Sequence, residues 1–260
     1  MSELVRIDKE PGIAIVTIAN PPMNVLSKAV AEGLLQAFRD LQGDVDVRVI
    51  VLAGEGERAF MAGADIKEFP TALGKVGMAY ALAEQLHELM NLIDHMKKPT
   101  IAALHGFTFG GGLEMALTCD IRICDEGSLL GLPEIKLGIF PGAGGTQRLP
   151  RLIGEARAKE MMYTGEPIDA VKANQIGLVN RVVPKGQSLH AALELARVIA
   201  QRSLSALSLV KQAIDEGAEL TLAQGLENEA KRFDDAFQTA DSKEGIQAFI
   251  EKRNPVFNQR

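Results

Sequence analysis

Cysteine is scarce: Cys119 and Cys124 are the only two in 260 residues. Their spacing, with no CxxC and no histidine cluster beside them, suits neither a zinc site nor a disulfide framework. Cys119 falls in an apolar stretch and reads as a small core residue, and the simplest setting for such thiols is a reducing compartment. No apolar run approaches the ~20 residues needed to span a bilayer. The opening stretch from Met1 to Asp8 has neither an apolar signal segment nor a basic amphipathic leader. The expectation is a soluble, cytoplasmic protein with no membrane partner. Positive charge is also short: 28 Lys and Arg against 34 Asp and Glu leave a net charge of −6. Nucleic acid needs a basic face, so no nucleic-acid partner is expected. His87, His95, His105 and His190 are dispersed, and neither HExxH nor a G-x-S-x-G elbow occurs. His105, at a strand end, reads as a structural hydrogen-bonder.

What is present is an ordinary globular composition, 47% apolar and 24% charged, enough for one large domain with a sizeable core. Alternating residues 4–8 and 13–19 around Pro11-Gly12 predict a β-hairpin. A rigid loop from Asn20 to Asn24 follows. Ser27 then caps a helix with Val30, Leu34, Phe38 and Leu41 at helical spacing. Residues 47–53 read as a buried strand, 71–77 as an irregular cover, and 78–96 as a long amphipathic helix ended by Lys97-Lys98-Pro99. Short strands at 121–124 and 128–131, helices at 145–153 and 155–164, a turn at 165–169, a short helix and a strand at 179–183 come next. Residues 188–203, 205–216, 222–237 and 242–252 are helical in pattern with no strand between them. The shift near 184–187 divides an α/β body, residues 1–187, from a C-terminal helical region, residues 188–260. A loose strand–strand–helix rhythm runs through residues 1–180.

The most informative stretch is 100–145. An apolar strand, residues 100–104, leads through His105-Gly106 to Gly110-Gly111-Gly112, where a helix begins. Glycine there admits positive φ and lets a ligand approach the main chain. The unpaired N–H groups of a first helical turn favour negative charge. The pattern is neither a phosphate-cradling GxxxxGK[ST] nor a Rossmann GxGxxG. Asp65 and Glu68 mark a short helix start, so the Ala64 region is a second loop with free N–H groups. Glu114 and Glu134 stand in apolar company, which desolvates a carboxylate unless it is paired. Singly, each also fits a solvated or capping residue. Twenty positions apart, they meet only if tertiary folding brings them together. Two carboxylates beside an anion-stabilising backbone would suit proton transfer to and from carbon.

Three signatures stand in one order: Phe60-Met61-Ala62-Gly63-Ala64-Asp65-Ile66-Lys67-Glu68, Gly110-Gly111-Gly112-Leu113-Glu114-Met115-Ala116, and Pro133-Glu134 running to Gly142-Ala143-Gly144-Gly145-Thr146-Gln147-Arg148. Together they resemble the enoyl-CoA hydratase/isomerase (crotonase) superfamily. The match continues through Thr164-Gly165-Glu166 and Gly177-Leu178-Val179 to Phe249-Ile250-Glu251-Lys252-Arg253, nearly the whole chain. The resemblance implies an α/β fold, a spiral of ββα repeats followed by a C-terminal α-helical trimerisation region that builds a homotrimer or homohexamer.

By the same resemblance, the N–H groups of Ala64 and Gly111 form an oxyanion hole for an acyl-CoA thioester. Met23, Val25, Leu26, Ala62, Ala64, Asp65, Ile66 and Lys67 contact CoA. Glu114 and Glu134 are the acid/base pair, and Gly142 is a backbone contact near the reacting water. No metal and no cofactor is implied, CoA being part of the substrate. The implied reaction adds water to a trans-2-enoyl-CoA in fatty-acid or amino-acid breakdown. Glu114 deprotonates the water and Glu134 protonates Cα, or one water passes both protons in a concerted step. Relatives that isomerise, decarboxylate, dehalogenate or hydrolyse acyl-CoA usually lack or move one glutamate, so the pair favours hydration. An enoyl-CoA isomerase or another acyl-CoA enzyme of this fold is the alternative. A non-catalytic CoA-binding or RNA-associated homologue is the reading from another class. Leu113, beside the glutamate, and Phe140, expected to narrow the pocket, bear on acyl preference.

Overall fold

The computed structural model describes residues 4–258. The hairpin forms as expected: β1 (Val5–Glu10) runs antiparallel to β2 (Gly12–Ile18), with Val5 opposite Ile18 and Glu10 opposite Ile13. After it the chain repeats one unit. β3 (Val47–Gly54), β5 (Thr100–Leu104) and β7 (Ile121–Asp125) add in parallel beside β2. The short strand after each of them, β4 (Ala59–Met61), β6 (Phe107–Phe109) and β8 (Leu129–Gly131), goes instead into a second parallel sheet. β9 (Ile168–Asp169) joins that sheet antiparallel to β8, and β10 (Arg181–Val183) joins the first parallel to β7. The orders are β1-β2-β3-β5-β7-β10 and β4-β6-β8-β9. This is the ββα spiral that the resemblance implies.

Successive side chains of a strand face opposite ways, so the large sheet needs cover on both faces. On one face Val16, Ile18, Ile50, Leu52, Ala102, Leu104 and Cys124 join the main core, with the buried stripes of α1 (Lys28–Gly43) and α2 (Met78–Asp94). Ser27 caps α1, its Oγ accepting from the Val30 N–H at 3.3 Å. On the other face Ile13, Val49, Val51, Ala53, Ile101, Ala103 and Ile123 meet α7 (Ser188–Ala200). That helix turns Ala192, Ala196 and Ala200 to the sheet, small residues one turn apart that let the backbones come close. The buried Asp125 carboxylate, at the end of β7, accepts from the N–H groups of Gly186, Gln187 and Ser188 and so caps α7 from the sheet. The composition shift at 184–187 falls at this capped turn. Beyond it α8 (Leu204–Gly217), α9 (Leu222–Phe237) and α10 (Ala240–Ile250) pack on one another.

Between β8 and β10 lie α4 (Gly145–Ile153), α5 (Glu155–Thr164) and α6 (Ala170–Gln175). α3 (Gly111–Ala116) follows β6, and two 3-10 turns, Ile66–Thr71 and Pro133–Leu137, complete the set. Asp65 caps the first, accepting from the Lys67 N–H at 3.1 Å. The second is absent from the sequence reading, as are β4, β6 and β9. These strands, of two or three residues, are too short to show a period, whereas β8 and β10 lie within longer apolar runs. Both thiols are buried and unpaired, and burial pushes Cys119 up to about 12 and Cys124 up to about 11. Among the described residues no helix is long and apolar enough to cross a membrane, and no group of three or more His, Cys, Asp or Glu is disposed to hold a metal ion.

Candidate active site

The loop after β2 folds back onto the end of β4. The Ala62 N–H donates to Met23 O at 3.0 Å, the Leu26 N–H to Gly63 O at 2.8 Å and the Asp65 N–H to Leu26 O at 3.0 Å. Asn24 makes this return possible. It holds a left-handed φ of 50°, which asparagine tolerates, and its buried amide donates to Glu55 O at 2.9 Å and Ala59 O at 2.8 Å. The segments 23–26 and 62–65, far apart in sequence, therefore form one ladder. Met23, Val25, Ala62, Ala64 and Asp65 are half-buried in it, Leu26 is buried, and Ile66 and Lys67 stand exposed at its end. Glu68 accepts from the Lys28 N–H, pinning the 3-10 turn to the start of α1.

β6 ends at Gly110, whose φ of 51° and ψ of −129° belong to glycine. Two residues on, α3 approaches β4 so closely that a Cβ at Gly112 would lie 2.1 Å from Met61 O. This approach brings Gly111 beneath the ladder: the Ala64 nitrogen is 3.8 Å from the point a Cβ on Gly111 would occupy. Among the described residues neither the Ala64 N–H nor the Gly111 N–H donates to a protein acceptor. Two free donors thus stand side by side.

Glu114, in the first turn of α3, is only 3% exposed. Its Oε1 accepts from the N–H groups of Ala143 and Gly145, both at 2.8 Å. Burial raises its pKa above the usual carboxylate range, opposed by those two hydrogen bonds and by the fields of His87 and Arg148. Glu134 comes from the turn Pro133–Leu137. Its Oε1 lies 2.6 Å from the Cβ position of Gly110, and its Oε2 is buried with no partner. Burial, opposed by its own backbone N–H and assisted by the charge of Glu114, pushes the Glu134 carboxyl up to about 7. Neither carboxylate is the solvated residue that it resembles when taken singly. The fold brings both to the glycine turn, where burial raises both carboxyl groups and the N–H groups of Ala143 and Gly145 oppose that rise at Glu114.

The backbone donors to Glu114 and the groups behind them escape sequence reading. Gly142 is exposed, and its carbonyl meets His87 Nε2 at 2.9 Å. Arg148 donates to Asp94 Oδ2 and Asn91 Oδ1, each at 2.8 Å. His87, Asn91 and Asp94 share one face of α2, and this spacing is the signal that the dispersed-histidine reading passes over. Phe140 leaves 70% of its surface in solvent. His105, expected as a structural hydrogen-bonder, bonds the backbone of Ala59, while its buried Nε2 has no hydrogen-bond partner.

Fold and site together define a protein of the crotonase fold. The chain belongs to the enoyl-CoA hydratase/isomerase family, whose model matches residues 8–260, and is an enzyme of it. A relative in Bacillus subtilis (strain 168), named "Probable enoyl-CoA hydratase", is 44% identical over 246 residues, 94% of this chain and 95% of its own length. A "Short-chain-enoyl-CoA hydratase" of Clostridium acetobutylicum is 38% identical over 248 residues, covering 95% and 94%. The crystal structure of an enoyl-CoA hydratase from Bacillus anthracis superposes with a TM-score of 0.94 at 39% identity, over 99% of this chain and 100% of that one.

Proposed function

We propose that the chain is an enoyl-CoA hydratase, catalysing reversible syn addition of water to trans-2-enoyl-CoA to give 3-hydroxyacyl-CoA. The observation that carries this reading is the pair Glu114 and Glu134 held beside the free N–H groups of Ala64 and Gly111. Water attack at Cβ breaks the Cα=Cβ π bond and moves charge onto the thioester oxygen as an enolate. The two N–H groups stabilise that charge; losing one such donor typically costs about 3–4 kcal/mol of barrier. Glu114, held in place by two N–H donors, takes the proton from the attacking water. Glu134, with its carboxyl at about 7, is protonated in a large fraction of molecules at neutral pH and gives that proton to Cα. One proton is taken and one given, no electrons change hands, and no redox cofactor is needed. Met23, Val25, Leu26, Ala62 and the run from Ala64 to Lys67 contact CoA in this reading, and Gly142 offers its backbone near the water.

Breakdown of fatty or amino acids in the cytoplasm, and a homotrimer or homohexamer built through residues 188–260, belong to the same reading. Exposed apolar side chains on the last helices, among them Leu222, Leu226, Phe233 and Phe249, support the assembly. Mixing the protein with crotonyl-CoA and following the conjugated-thioester absorbance tests the reaction. Rapid loss is expected, abolished in Glu114→Ala and in Glu134→Gln while thioester binding persists. Wild-type hydration by either variant would overturn the two-glutamate mechanism. A gain of conjugation from a 3-enoyl-CoA, with no loss from crotonyl-CoA, would move the chain to the isomerases.

A further inference from the structure

α2 turns His87, Asn91 and Asp94 to the segment 142–148, holding it at both ends. A carbonyl oxygen only accepts, so the 2.9 Å contact between His87 Nε2 and Gly142 O makes Nε2 the protonated nitrogen. The Gly142 carbonyl and the Ala143 N–H belong to one peptide plane. That peptide is trans, so the two groups point in opposite directions. One side of the plane is held by His87. The other donates to Glu114 Oε1 at 2.8 Å.

We propose that His87 is a positioning residue: by holding the Gly142 carbonyl it fixes the one peptide whose N–H binds the Glu114 carboxylate. This rests on the reading of Glu114 as the base. Turning this peptide plane over changes ψ at Gly142, which has no Cβ to restrict it, together with φ at Ala143. Turned over, it would aim a carbonyl oxygen at the carboxylate instead of an N–H. The His87 bond opposes that rotation, and donation to the carbonyl polarises the N–H on the far side of the same amide. His87 also lowers the proton affinity of Glu114, as does Arg148 from α4. The other charged groups close by are Glu134, whose carboxyl feels Glu114, and Asp94, which pairs with Arg148. On α2 itself, Glu84 bonds Tyr80 and Glu88 pairs with Arg39.

The test compares His87→Ala with His87→Gln, whose amide nitrogen reaches for the same carbonyl. In crotonyl-CoA hydration the alanine variant is expected to lose roughly three- to tenfold in kcat, the worth of one hydrogen bond, with KM unchanged. The acid limb of its kcat/KM profile, set by Glu114 ionisation, shifts to higher pH while the alkaline limb stays. The glutamine variant recovers most of the kcat. Hydrogen exchange at the Ala143 and Gly145 amides, read by mass spectrometry, reports the latch without turnover. Exchange is expected to quicken in the alanine variant and return towards wild type in the glutamine variant. An unmoved acid limb together with wild-type exchange overturns the proposal, whatever happens to kcat. If the wild-type protein hydrates nothing, the functional reading fails, and the exchange rates alone still decide whether His87 holds this peptide.

Discussion

The Glu134 carboxylate lies over the bare Cα of Gly110, its Oε1 2.6 Å from where a Cβ would sit. Gly110 also has a φ of 51° with a ψ of −129°, so the backbone disfavours a side chain there and any Cβ would displace the Glu134 carboxylate. Gly110→Ala is expected to lower stability by about 1–3 kcal/mol through backbone strain. It should also cut crotonyl-CoA hydration by roughly 10², the penalty for displacing a reacting group by about an ångström. Urea denaturation and the hydration assay measure the two effects. A folded variant with wild-type turnover would show that Glu134 does not act from this position.

A carboxyl at about 7 that serves as an acid must keep its proton, which sets the sign of the pH dependence. The kcat/KM for hydration should fall as pH rises through about 7, because the ionised form of Glu134 has no proton to give. A profile that stays flat across neutral pH and into the alkaline range would remove Glu134 from the acid role.

The same shift affects stability. The folded state holds the Glu134 proton up to about 7, against an ordinary value of 4.5. Its contribution is complete below about pH 4.5, declines between there and about pH 7, and is gone above. Glu134→Gln carries no titrating group, so its melting temperature should gain on the wild type as pH rises through this window. A gap that is constant, or that widens towards acid, would contradict the burial of this carboxyl.

Asn24 ties the ladder together from inside, with its amide on Glu55 O and Ala59 O. Asn24→Ala leaves these carbonyls short of a donor and should cost about 1–3 kcal/mol. It should also raise KM for acyl-CoA, since the ladder carries Ala64. Asn24→Gly relieves the left-handed φ but restores no hydrogen bond, so its KM should resemble that of the alanine variant. Recovery in the glycine variant would assign the effect to backbone strain alone.

Much of this molecule is written locally. The alternation in β1 and β2, the Val and Ile run of β3, the capped stripe of α1 and the long α2 are properties of contiguous residues, and each forms where its pattern lies. The glycine turn and the two glutamates are legible as candidates for the same reason: unusual residue types in unusual company. The tertiary structure decided that there is a second sheet, because strands such as Ala59–Met61 and Phe107–Phe109 exist only by pairing with their neighbours in it. It decided that Glu114 and Glu134 share one site, since no local period spans the residues between them. It also decided what holds Glu114, because the donors are the N–H groups of Ala143 and Gly145. Every residue except proline has such a group, so a sequence marks none of them; only the path of the backbone aims two at one carboxylate.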